Sequence, residues 1–165
     1  MAFSLRSLSL LCVICGLLTG GSSFIVLHKR INNCPPGWSQ FNCNCYIYQD
    51  EGRTFSDAQA VCTILGGNLV SIQNDLENIF VQELAIAGGN TDVVWIGLND
   101  TATPDTYVWT DESSNSFLNF DTTNSEPDSA TGDCVVLDED DGLWQTASCT
   151  DEEPYICIRQ THEMS

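Results

Sequence analysis

The sequence has little positive charge. Its 165 residues hold 5 Lys+Arg against 23 Asp+Glu, a formal charge of -18. Between Cys34 and Cys157 the imbalance sharpens: 22 carboxylates face one base, Arg53, and lysine is absent. Such a surface repels phosphate backbones and anionic headgroups, which excludes nucleic acid and anionic membrane as electrostatic partners. Cations, basic proteins and neutral ligands such as sugars remain. Histidine is missing from the same stretch, since His28 and His162 lie outside it. With no activated serine or cysteine arrangement either, an enzyme is not expected. Long apolar runs are also lacking. The longest, Leu8 to Leu18, is broken by Ser9 and Gly16 and falls well short of the roughly 20 residues a spanning helix needs.

That short run fits a different role. Arg6 precedes it and Gly21-Ser22-Ser23 follows it, so residues 1–23 read as a signal peptide cleaved before Phe24. The expected location is secreted, extracellular. Residues 24–33 form a linker or short propeptide, with Lys29-Arg30 as a dibasic pair. The globular part is expected over 34–158, with 159–165 as a tail. A hydrophobic content of 42% and a mass of 18.1 kDa suit one domain with its own core.

Cysteine is plentiful. Of nine, Cys12 and Cys15 leave with the signal, and Cys34, Cys43, Cys45, Cys62, Cys134, Cys149 and Cys157 remain. In an oxidising compartment disulfides are the default for them. Zinc fits poorly, because Cys43-x-Cys45 has the wrong spacing and no histidine is near. Seven is odd, and even six cysteines admit fifteen connectivities.

Two helices are expected. One covers about Phe55 to Leu65, with Phe55, Ala58, Cys62 and Leu65 on one face, Thr54 as cap and Gly66-Gly67 as stop. The other covers about Asp75 to Ala87. Asn74 and Glu77 have capping spacing, Leu76, Ile79, Phe80 and Leu84 form the apolar stripe, and Gly88-Gly89 ends it. Beyond residue 90 short β-branched and aromatic runs take over, and Trp38 to Phe41 with Cys45 to Tyr48 reads as a leading hairpin. Between Asp111 and Asp133 runs a long polar stretch, the usual form of a functional loop. The fold class is α+β, two helices beside short antiparallel sheets.

These residues, taken in order, resemble the C-type lectin-like domain. The resemblance rests on Cys34-Pro35-x-Gly37-Trp38, Cys45-Tyr46, Trp95-Ile96-Gly97-Leu98 and Trp109-Thr110-Asp111. It continues through Phe117-x-Asn119-Phe120, Glu126-Pro127-Asp128, Gly142-Leu143-Trp144, Cys149 and Pro154-Tyr155-Ile156-Cys157. It covers essentially all of Cys34 to Cys157. It implies a disulfide-stabilised C-type lectin-like fold with a long irregular binding loop and bridges Cys34–Cys45, Cys62–Cys157 and Cys134–Cys149. The last closes a loop worth about 3 kcal/mol in the chain-entropy model. Cys43 is then left over, either a link to a second chain in a disulfide-bonded dimer or a single capped thiol.

The resemblance also implies a calcium ion that bridges the protein to vicinal sugar hydroxyls. Its ligands would be Glu126, Asp128, Asp133 and Gln145, with backbone carbonyls and water completing the six to eight oxygens calcium takes. The match is imperfect. Glu126-Pro127-Asp128 stands where the family has Glu-Pro-Asn or Gln-Pro-Asp, so both flanking side chains accept hydrogen bonds and neither donates. Trp144-Gln145-Thr146 replaces Trp-Asn-Asp. Gly132 stands at a position where a Glu ligand is usual, and at the second calcium position Asp100 matches but Pro104 and Ser129 do not. Weak calcium binding and a merely solvated acidic loop are the two readings of this set.

Asn99-Asp100-Thr101 is a glycosylation sequon expected in a loop. Trp38, Trp95, Trp109 and Trp144 are expected in the core. The acidic runs Asp138–Asp141 and Asp151–Glu153 are expected as solvated turns. The functional expectation is a secreted carbohydrate-binding recognition protein for glycans on cell or microbial surfaces. Its rival is a calcium-independent interaction protein or an acidic binder of mineral or ice.

Overall fold

The computed structural model describes residues 34–89 and 92–161. The expected signal peptide, the linker with Lys29-Arg30 and the last four residues lie outside the described residues. Eight strands form one sheet: β1 Ser39–Phe41, β2 Asn44–Arg53, β3 Asn68–Leu69, β4 Val93–Asn99, β5 Val108–Trp109, β6 Cys134–Asp138, β7 Trp144–Ala147 and β8 Glu153–Gln160. The order is β1-β2-β8-β4-β6-β7, with β3 on β8 and β5 on β4. Every pairing is antiparallel except β4 with β8, joined in parallel at Trp95 and Tyr155. The last strand runs to Gln160, two residues past the expected end of the domain.

Strand alternation divides the core between the two faces of the sheet. Val94, Ile96 and Leu98 of β4 join Val135 and Leu137 of β6 in one cluster, which also takes Val81 and Ala85 from α2 (Asp75–Gly88). Trp95 and Val136, one residue out of phase, join the other cluster, with Phe55, Ala58 and Cys62 from α1 (Phe55–Ile64). All four tryptophans are buried as expected.

Helix α1 behaves as the periodicity predicts. The Thr54 hydroxyl accepts from the Asp57 N–H at 3.3 Å, and the buried face is Phe55, Ala58 and Cys62. Helix α2 keeps its predicted bounds and cap, with Asn74 Oδ1 accepting from the Glu77 N–H at 3.1 Å. Of its expected stripe, Phe80 and Leu84 are half-buried and pack against the core, but the face is rotated away from the other two. Leu76 and Ile79 are 68% and 53% exposed, whereas Asn78, Val81 and Ala85 are buried. The reason is a specific polar contact. Asn78 Nδ2 donates to the Gly142 carbonyl at 2.9 Å, and its Oδ1 accepts from Trp144 Nε1 at 2.8 Å. A buried indole N–H needs an acceptor, and the helix turns to supply one.

The three bridges Cys34–Cys45, Cys62–Cys157 and Cys134–Cys149 are present, with Cα separations of 5.5, 5.3 and 5.1 Å. Cys43, expected as the leftover, is also disulfide-bonded. No helix among the described residues is long and apolar enough to cross a membrane.

Candidate functional site

The polar stretch after β5 is held against the start of β7. The Asp121 N–H donates to the Trp144 carbonyl and the Trp144 N–H donates to Asn119, both at 2.9 Å. A short 3-10 turn, Thr122–Asn124, follows. Buried Asp121 caps it, accepting from the Thr123 and Asn124 N–H groups at 3.1 and 3.2 Å. The chain then enters Glu126–Pro127, a cis peptide, and Glu126 lies beside Thr146.

Its carboxylate also accepts from two side chains, and these bonds, the Thr123 hydroxyl first and the Asn124 side-chain amide next, hold the Asp121 carboxyl below the usual carboxylate range. A depressed folded pKa means stability present above the unfolded value of about 3.9 and lost as pH falls through the folded one. We therefore expect Asp121→Asn to melt below the wild type at neutral pH. The gap between their melting temperatures should close as pH drops below about 4. A gap that stays constant across that range would contradict the assignment.

At half-buried Glu126 one carboxylate oxygen is held by the protein itself. Its Oε2 accepts from the Thr146 hydroxyl at 2.6 Å, the Thr146 N–H at 2.9 Å and the Asp128 N–H at 3.1 Å. The Thr146 hydroxyl has one proton, and the charged acceptor takes it. Its oxygen then accepts from the Asp128 N–H at 3.1 Å and faces the Thr131 hydroxyl at 2.6 Å. Thr131 also reaches the Asp128 carbonyl at 2.7 Å. Two threonines thus tie residues 126, 128, 131 and 146 into one network, with Thr146 itself buried.

The other three predicted ligands have different partners. Cross-strand partners share a face, and Val135 pairs with Thr146 while Val136 pairs with Gln145. Gln145 therefore projects from the opposite face to Thr146, where its Nε2 donates to Asp138 Oδ2 at 3.2 Å. Asp128 is exposed and caps its own turn through Ala130 N–H at 2.9 Å. Asp133 is exposed, and its carbonyl accepts from the Asp100 N–H at 3.0 Å. Position 132 admits no side chain: a Cβ on Gly132 would lie 2.0 Å from the Ala147 carbonyl oxygen. Of the four expected ligands, the structure brings together Glu126 and Asp128 and separates Gln145 from them.

A calcium ion at this site would need oxygens that the protein has already committed. Glu126 Oε2 already takes three donors, the Thr146 hydroxyl among them, and Gln145 faces away. Among the described residues no three His, Cys, Asp or Glu side chains gather to hold a metal ion. One buried acceptor near the site is without a partner. Asp100 is 2% exposed, its Oδ2 accepts from the Asp105 N–H at 2.7 Å, and its Oδ1 has no partner. Calcium takes six to eight oxygens drawn around one point, and here Gln145 is turned to the other face of β7. The residues present do not fit the ion. The site keeps a dense negative field instead. Burial first, then Asp100, Asp105, Glu126 and Asp133, push the Tyr107 phenol up to about 12.

Two further expectations meet the structure here. Asn99 does not sit in a loop: it ends β4, is 8% exposed, and its amide donates to the Val108 carbonyl at 3.4 Å while its Oδ1 accepts from the Thr101 hydroxyl at 2.6 Å. A glycan on that nitrogen does not fit the folded domain, because the amide is buried between strands. The acidic run before Gly142 is a solvated turn only at Asp140 and Asp141; Asp138 ends β6, and Glu139 is half-buried with one carboxylate oxygen enclosed. Asp138 and Asp141 carboxylates accept from the Asp140 and Leu143 N–H groups.

A twisted sheet with one helix on each face, three bridges and a long segment braced on a cis Glu-Pro define a lectin-like binding domain. The Lectin C-type domain model matches residues 51–159, and the chain belongs to that family. It is 35% identical over 143 residues to the alpha-N-acetylgalactosamine-specific lectin of Patiria pectinifera, covering 78% of this chain and 83% of that one. It is 31% identical over 136 residues to the human secretory phospholipase A2 receptor, covering 81% of this chain but spanning only 9% of that receptor's length. Among solved structures it superposes on human lithostathine with a TM-score of 0.72 at 30% identity, covering 77% of this chain and 99% of the other.

Proposed function

We propose that the chain is a secreted carbohydrate-recognition module whose face around Glu126–Asp128 works without a bridging calcium ion. The observation that carries this reading is the Glu126 carboxylate. The Thr146 hydroxyl and N–H and the Asp128 N–H supply the positive ends that a cation would otherwise supply. The segment is then organised by hydrogen bonds from its own chain. Exposed Asp128 and Asp133 are left as acceptors for sugar hydroxyls, which donate to a carboxylate with charge-assisted strength. Such contacts are weak singly, so glycans on cell or microbial surfaces are engaged through several sites at once. Family membership and the Patiria pectinifera relative support the sugar class.

The test is retention of the protein on immobilised mannose, galactose and N-acetylgalactosamine, with and without EDTA. We expect retention on at least one sugar, unchanged by the chelator and reduced at least threefold by Asp128→Asn. Elution by EDTA would overturn the calcium-free mechanism. Passage through all three columns would overturn sugar binding.

A further inference from the structure

A groove of 630 Å³ lies away from the Glu126 network. It is lined by the segment 66–73 between the two helices, by Asp111 and Ser113 after β5, and by the end of β8 with Asn44 from β2. Its volume is within the range of small-molecule sites. None of Glu126, Asp128, Thr131 or Thr146 borders it.

The lining decides the chemistry. Ile158 is the single apolar side chain among the lining residues, and the rest of the lining is polar side chains and glycine, so a wholly hydrocarbon ligand would leave their polar groups unmatched. The two charged groups are already directed at the protein. Asp111 accepts from the Ser71 hydroxyl at 2.5 Å through Oδ2 and from the Ser113 N–H at 2.9 Å through Oδ1. Arg159 donates to the Leu65 carbonyl at 3.1 Å and lies 5.6 Å over the Trp38 ring. Neither calls for a counter-ion.

The neutral groups are held in place yet keep open valences. Gln73 Nε2 donates to Ser113 Oγ at 3.1 Å, which leaves the Ser113 hydroxyl proton to point at a ligand. Asn68 Oδ1 accepts from Gln59 at 2.8 Å, which leaves its amide hydrogens as donors. Gln160 adds a carboxamide at the exposed end of β8. A ligand matching this set both donates and accepts over short distances, carries no charge and presents little apolar surface. Vicinal hydroxyls of a sugar meet all of these conditions.

We propose that this groove is a second carbohydrate site, for a neutral sugar unit held by hydrogen bonds from Asn68, Gln73, Ser113 and Gln160. It is independent of the Glu126 face. The test is an NMR titration of isotope-labelled protein in EDTA with lactose, maltose and N,N′-diacetylchitobiose as probes. At least one probe should give saturable shifts at the amides of Asn68, Ser113 and Gln160. Ser113→Trp, which fills the groove, should weaken that binding at least tenfold and leave the amides of residues 126–131 unmoved. Should Ser113→Trp fail to fold, Gln160→Trp, at an exposed position, serves the same purpose. Absence of saturable shifts in the groove with all three probes, or shifts that survive the filling variant, would overturn the proposal. Shifts confined to residues 126–133 would support the Glu126 face and sink this site; shifts confined to the groove would do the reverse.

Discussion

Thr146→Val should destabilise the domain by about 2–4 kcal/mol and free the segment it holds. The substitution keeps the shape and removes the hydroxyl. Glu126 Oε2 loses its shortest donor, at 2.6 Å, and the Asp128 N–H and Thr131 hydroxyl lose a shared acceptor. A hydrogen bond to a charged group contributes roughly 1.5–3 kcal/mol, and a neutral one about 1. Glu126 keeps the Thr146 and Asp128 N–H groups, so the carboxylate is weakened in its hold and not stranded. Thermal unfolding measures the loss as a fall in Tm of roughly 10 °C. Amide exchange should quicken at residues 126–131 and stay slow in β4 and β6. A fall equivalent to less than about 0.5 kcal/mol, the size of an ordinary surface change, would show that the network contributes little. Calcium should not restore the variant. Restoration by calcium, or a wild-type Tm that drops in EDTA, would mean that an ion braces the segment after all.

Asn78→Leu separates the structural reading of α2 from the periodic one. In the apolar pattern of the sequence, Asn78 falls outside the stripe and its replacement by leucine improves the helix. In the structure Asn78 is 6% exposed, and it is the acceptor for the indole N–H of Trp144, itself fully buried. Removing that acceptor leaves a buried donor unmatched, at about 1–3 kcal/mol. The added bulk meets Gly142, where a Cβ already would come within 3.2 Å of Asn78 Nδ2, and overpacking adds about 1–3 kcal/mol. The Gly142 carbonyl retains the Asn119 amide at 2.9 Å, which limits the damage there. The expected total is about 2–5 kcal/mol. Leu76→Ala, by contrast, alters a residue that is 68% exposed and should cost under about 0.5 kcal/mol. Denaturant unfolding of both variants checks the ordering, and a larger loss for Leu76→Ala would contradict the placement of this helix.

The two variants also explain where the sequence was legible. Elements were readable where the signal is local. Thr54 and Asn74 are caps because a side-chain oxygen three residues ahead of an N–H is a short-range geometry. Both helices start where those residues place them. Alternation in β4 and β6 likewise sorts residues to two faces without reference to the rest of the fold. The facing of α2 was not readable in this way. Its apolar residues wrap most of the helix, and the choice among faces is made by Trp144, 66 residues away in sequence.

The site divides along the same line. Which residues stand at positions 126, 128, 132 and 146 is a matter of sequence, and so is the absence of a full calcium ligand set. That Thr146 is more than a lost ligand depends on the pairing of β6 with β7, which puts Thr146 on the face of Glu126 and turns Gln145 to the other. Gly132 looked like one more missing ligand, yet the Ala147 carbonyl fills the space where any side chain would begin. The sequon at Asn99 looked accessible until the strand it ends buried its amide.

By itself the sequence determined the class of the fold, the two helix starts, the tryptophan core and the acidity of the domain, because caps, alternation and charge act over a few residues or by simple count. Tertiary structure alone decided which face of α2 is inside, which side of β7 meets the Glu126 segment, and whether the carboxylates face an ion or each other's donors. Those choices rest on strand register and on contacts across the sheet, where a shift of one residue moves a side chain to the opposite face.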